Sequence, residues 1–162
     1  MSPTAVVVFD LDGVLVDSRK PFTGSVNYAL RMHGHAEHDV AALTGFIGPP
    51  LHLTFAELLD EDPGSEAVAA CVASYPENYS SVSPTETRVF AGVLEVLAAL
   101  SQTRRLAVAT SKPLALAEPL LEALGLRGFF DVVPGPGLSA SAEDKSATLR
   151  RALEALGAKE GP

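Results

Sequence analysis

Every position from Ala5 to Phe9 is apolar, and the run then breaks into acids and glycine in the decapeptide FDLDGVLVDS, Phe9 to Ser18. An unbroken valine-rich run of this kind predicts a strand buried on both faces of a parallel sheet. Beyond Ser18 the spacing becomes helical. Phe22, Val26, Ala29 and Leu30 form one stripe, Leu51, Phe55, Leu58 and Leu59 a second, and Val68, Cys71, Val72, Tyr75 and Tyr79 a third. The stripes are separated by punctuation at His33 to His38, Gly45 to Pro50 and Asp60 to Gly64. From Ala91 the period alternates: a helix to Leu100, a strand Leu106 to Ala109, a helix Leu114 to Leu124 and a strand Phe129 to Val133. A last helix carries Leu149, Ala152, Leu153 and Leu156 on one face. Strands alternating with helices predict an α/β fold with a parallel sheet covered by helices. Residues 1–18 and 89–162 make this core, and residues 19–88 an all-helical insertion.

Composition narrows the partners. A chain of 162 residues with 47 % hydrophobic content can bury one core, and a formal net charge of −8 argues against nucleic acid or an acidic membrane surface. It leaves room for a phosphorylated substrate, since a metal ion and one or two lysines can invert the local field. The single cysteine, Cys71, allows no internal disulfide and fits a reducing cytoplasmic setting; its place in an apolar stripe points to packing. The five-residue apolar run near the N-terminus is too short for a signal peptide or a membrane span. No P-loop, zincin, nucleophile-elbow or dinucleotide motif occurs. His33, His35 and His38 lack acids at metal-binding spacing and read as a solvated helix end.

Carboxylates at the end of a buried strand are costly unless they act on something, and Asp10 and Asp12 stand there together, at the sheet end where α/β folds bind ligands. Asp10, Asp12, Gly13 and Asp17 fall in the order DxDGxxxD, which resembles the first motif of the haloacid dehalogenase-like hydrolases, most of them magnesium-dependent phosphomonoesterases. The resemblance implies a Rossmann-like core with a helical cap. It makes Asp10 the nucleophile and Asp12 the general acid and base, with both aspartates at the Mg2+ site. An acid at Asp12 also sets phosphatases and phosphomutases apart from the dehalogenase, phosphonatase and ATPase branches.

The same resemblance gives Thr110, at the end of LAVATSKP, a hydroxyl contact with phosphate, helped by the Ser111 amide. It gives Lys145, in AEDKSATL, the role of phosphate-binding cation, with Lys112 as the competitor two residues past Thr110. TGFIGPPLHLTF, with Gly45, Gly48 and His52, resembles the substrate-facing cap loop of phosphoglycolate phosphatase-like members, including a 5'-nucleotidase-like branch. Relatives usually carry arginine where this chain has His52, a shorter side chain without a permanent charge. The family pattern continues into an apolar strand ending in GDxxxD, whose acids complete the magnesium site, whereas this sequence stops at ALGAKEGP. The chain therefore reads as a core truncated at its C-terminus. Its first strand, left at an edge, favours pairing with another chain as a homo-oligomer. The expected activity is hydrolysis of a small phosphorylated metabolite through an aspartyl-phosphate, phosphoglycolate phosphatase-like. The alternatives are a 5'-nucleotidase, a sugar-phosphate mutase, or a non-catalytic phosphate- or protein-binding remnant.

Overall fold

A computed structural model describes residues 5–137 and 145–157. Two strands open the chain, β1 (Val6–Phe9) and the short β2 (Val16–Asp17). Helices α1 (Arg19–Met32), α2 (Val40–Thr44), α3 (Leu51–Leu59) and α4 (Glu66–Glu86) follow. A return strand β3 (Arg88–Val89) leads to α5 (Val93–Ser101), β4 (Arg105–Val108), α6 (Leu114–Ala123), a 3-10 turn at Arg127–Phe129 and α7 (Lys145–Ala155). The chain divides into two compact units, one of Ser18–Arg88 and one of the flanking segments Met1–Asp17 and Val89–Pro162.

In the flanking unit β1 and β4 run parallel, with Val6 opposite Arg105 and Phe9 opposite Val108. Side chains alternate across this sheet as the period of two requires. Val7, Phe9, Leu106 and Val108 point into the larger cluster, with Leu11, Leu15, Leu97, Leu121 and Phe130. Val6, Val8 and Ala107 face a thinner layer built from Ala152 and Leu156. Helices therefore cover both faces, as the α/β pattern demands.

Two expectations are corrected. The first strand is half-buried along its whole length rather than sealed on both faces. The thin layer covers one face incompletely, and among the described residues no strand pairs with the outer edge of β1. The expected strand from Phe129 to Val133 starts as the 3-10 turn and meets β4 in one parallel bridge, Ala107 to Val132. Arg127 braces the turn: its Nε donates to Glu118 Oε2 at 2.6 Å and a terminal nitrogen to the Phe130 carbonyl at 2.7 Å. The backbone nonetheless tracks β4, since Asp131 N–H donates to the Leu106 carbonyl and Val108 N–H to the Val132 carbonyl.

In Ser18–Arg88 the helical stripes lie where their spacing puts them. Phe22, Val26, Ala29 and Leu30 of α1 are buried, as are Val68, Cys71, Tyr75 and Tyr79 of α4, and Phe55 of α3. Tyr75 and Tyr79 stack at 5.2 Å between ring centroids, and Phe22 meets Tyr75 at 6.2 Å. Polar pairs link α1 to α4: Asn78 Nδ2 donates to Ser25 Oγ at 3.0 Å and the Tyr28 hydroxyl to Glu77 at 2.9 Å. Ser65 caps α4 by accepting the Val68 N–H at 3.2 Å.

Candidate active site

The acidic loop is shaped by what it buries. Leu11, between the two aspartates, is fully buried, and Leu15 and Val16 follow it into the core. In extended chain neighbours point to opposite sides, so anchoring Leu11 turns Asp10 and Asp12 together away from the core. Asp10 Oδ1 accepts the Leu11 N–H at 2.8 Å, which fixes its carboxylate. Gly13, at φ +78, makes the reversal, and its N–H donates to the Val16 carbonyl at 2.9 Å. A side chain at that angle is strained, which is why glycine stands there.

Strand β4 ends beside this loop, where Ala109 N–H donates to the Phe9 carbonyl at 2.8 Å. Thr110 is buried, and its Oγ1 accepts the Lys112 N–H at 3.0 Å. The turn from Thr110 to Leu114 is held from behind by Gly135 and Pro136. Leu114 N–H donates to the Pro136 carbonyl at 2.9 Å, and a Cβ at Gly135 would come within 3.0 Å of the Lys112 carbonyl. Ser111 lies half-buried in this turn, just ahead of α6.

Two lysines complete the arrangement. Lys145, the first residue of α7, forms an ion pair with Asp10 Oδ2. Its chain neighbours Glu143 and Asp144 lie outside the described residues. Lys112 pairs with Asp12, Nζ to Oδ2 at 3.3 Å. The sequence ranked Lys112 behind Lys145 as a rival for one role, whereas the structure brings both in, each on its own aspartate. The spacing that puts Lys112 two residues past Thr110 was the available signal; which acid it would meet was not in the sequence.

The remaining site candidates belong to the unit Ser18–Arg88. Gly45 closes α2, and Gly48 sits at φ +118, which excludes side chains at that bend. His52 is half-buried in the first turn of α3. His33 Nε2 bonds Ser74 Oγ at 2.8 Å, and the backbone of His38 is tied to Asn27.

Chemically, the aspartates offer a nucleophilic oxygen and a proton carrier, with cations and a hydroxyl nearby for an anionic group. Two carboxylates also suit a magnesium ion, which binds through one or two acids and keeps several waters. Among the described residues no group of three or more His, Cys, Asp or Glu is placed to hold a metal.

Residues 7–161 match the model of the family described as haloacid dehalogenase-like hydrolase. A 5'-nucleotidase of Pseudomonas aeruginosa is 36 % identical over 154 residues, 93 % of this chain and 68 % of that protein. A phosphoglycolate phosphatase of Cereibacter sphaeroides is 32 % identical over 93 % of this chain and 71 % of its own. The crystal structure of a predicted phosphatase from Clostridium acetobutylicum superposes with a TM-score of 0.87 at 33 % identity, covering 98 % of this chain and 73 % of that one. The chain belongs to the haloacid dehalogenase-like hydrolase family. Within it, the chain is an enzyme of the phosphatase kind, with an α/β Rossmann-like fold, in a family that generally uses a divalent metal. Among the described residues no helix is long and apolar enough to cross a membrane.

Proposed function

We propose that the chain hydrolyses a small phosphomonoester through an aspartyl-phosphate on Asp10. One observation carries the reading: Asp10 and Asp12 emerge side by side from β1, each paired with a lysine, with Thr110 at the end of the neighbouring strand. In the first step an Asp10 oxygen attacks phosphorus while the bond from phosphorus to the ester oxygen breaks. The leaving oxygen keeps that electron pair and takes the proton of Asp12. In the second step Asp12 removes a proton from water, whose oxygen attacks the phosphorus. The acyl phosphate bond breaks, returning the Asp10 carboxylate and inorganic phosphate. Lys145, Thr110 Oγ1 and the Ser111 amide bind the phosphoryl oxygens. Asp10 and Asp12 would hold Mg2+, which when bound offsets the repulsion between anionic nucleophile and phosphate.

Residues 19–88 act as the cap in this reading, with Gly45, Gly48 and His52 on the loop that selects the leaving group. The substrate is phosphoglycolate or a similarly small metabolite. The similarity to the Pseudomonas aeruginosa 5'-nucleotidase supports nucleoside monophosphates as the second class. The single, buried Cys71 is in keeping with work in the cytosol.

The test is release of p-nitrophenol from its phosphate with and without Mg2+, by wild type and Asp10→Asn. Turnover that needs Mg2+ and falls to background in the variant is expected; a fully active Asp10→Asn chain would sink the proposal. Comparing kcat/KM on phosphoglycolate and on nucleoside monophosphates then ranks the substrate classes.

A further inference from the structure

The two lysines of the site differ in how they are held, and from that difference we infer that Lys112 is a positioning residue for Asp12, separate from the phosphate-binding cation. The inference rests on the phosphatase reading and assigns one more residue to it. The Lys145 side chain is 58 % exposed and begins a helix, so its ammonium can leave Asp10 for an arriving phosphoryl group. The Lys112 side chain is 7 % exposed and its partner Asp12 13 %. A charge removed from water this far stays with its counter-ion, because separating the pair would strand both. The backbone of Lys112 is fixed as well. Its N–H is held by Thr110 Oγ1 at 3.0 Å, its carbonyl is backed by Gly135, and Leu114, two residues on, is bonded to Pro136 at 2.9 Å. The place of the ammonium is thus set by the fold before any substrate binds.

Asp12 has to deliver its proton to one oxygen, the leaving group, and a carboxylate free to rotate misses it. Lys112 donates to one oxygen of Asp12, Oδ2, whether Asp12 is charged or carries a proton on Oδ1, and thereby orients Oδ1 and its proton toward the ester oxygen. Loss of Lys112 should therefore act where Asp12 acts, in proportion to how much the leaving group needs a proton. p-Nitrophenolate needs little help; an alkoxide needs much.

The experiment measures kcat/KM, which reports the phosphoryl-transfer half, on p-nitrophenyl phosphate and on glycerol phosphate. The second has an alkoxide leaving group and an uncharged tail that offers a lysine no ion pair. Lys112→Met is expected to lose about tenfold more on glycerol phosphate than on p-nitrophenyl phosphate, in the same sense as Asp12→Asn, since help from a general acid is worth about 100- to 10,000-fold where it is needed. The double variant is expected to be no worse than Asp12→Asn alone, and Lys112→Arg to recover part of the loss. Lys145→Met is expected to lower both substrates alike. Should Lys112→Met lose its melting transition, Lys112→Gln carries the same comparison. Equal losses on the two substrates, or a loss that multiplies with that of Asp12→Asn, would overturn the inference and leave the phosphatase reading standing. A wild type without turnover, or an active Asp10→Asn, would remove both.

Discussion

Between Ser18 and Arg88 the most deeply buried large side chains are aromatic and aliphatic, with Tyr75 stacked on Tyr79 and Phe55 and Leu30 sealed from solvent. In the flanking unit the paired side chains at the sheet end are charged, Asp12 with the buried Lys112 and Asp10 with the exposed Lys145. Apolar packing is non-directional and its loss is graded with volume. A charged pair near the interior is directional, and removing one member strands the other. Mutations should therefore divide the molecule: in the inserted unit they change stability first, in the sheet-end loop they change chemistry first.

The largest separation is expected on chelation. Removing divalent metal with EDTA should take phosphatase turnover to background and restore it on adding Mg2+. The near-ultraviolet circular dichroism of the stacked tyrosines should stay unchanged, and a lost tyrosine signal would mean the two regions are not independent. Next comes Tyr79→Ala, expected to cost about 3–5 kcal/mol in urea unfolding by leaving a cavity against Tyr75. A cost below about 1 kcal/mol would show that the helices repack around the gap. Thr110→Val should cost about 1–3 kcal/mol, because the Lys112 N–H loses its acceptor. Unlike Tyr79→Ala, it should also raise KM.

Cys71 gives a pH-dependent contrast. Burial pushes its thiol above the ordinary value of 9.0, so the folded state favours the protonated form. This contribution is complete below the unfolded pKa and disappears as pH rises through the higher folded value. Urea midpoints of wild type should fall above about pH 9 more steeply than those of Cys71→Ala. Smallest is Lys20→Met, which removes a surface pair with Glu86 at 3.0 Å; a change within about 0.5 kcal/mol is expected in the same urea titration.

The inserted unit was the more legible of the two. Phe22, Val26, Val68, Cys71, Tyr75 and Tyr79 are buried where a 3.6-residue period places them, because a helix sets its own faces through local hydrogen bonds. Strands do not. The segment that meets β4 at Val132 begins in a turn braced by Arg127 on Glu118 and the Phe130 carbonyl, contacts that leave no periodic trace. β1 reads as a fully buried strand, but its burial depends on neighbours elsewhere in the chain, and it is half-buried.

The same division runs through the site. The amino-acid sequence alone determined the candidate groups and their spacing: the carboxylates of Asp10 and Asp12 on either side of a core-seeking Leu11, glycine where the loop must turn back, and the Thr110 hydroxyl after β4. These are local, fixed by covalent spacing and by the alternation of an extended chain. Tertiary structure decided which lysine meets which acid. Lys145 lies 135 residues from Asp10 in the chain, and Gly135 packs close against the Lys112 carbonyl. Such pairings depend on how β1, β4 and α7 stack, which no local pattern records. FDLDGVLVDS places the acids, and the fold sets a lysine on each.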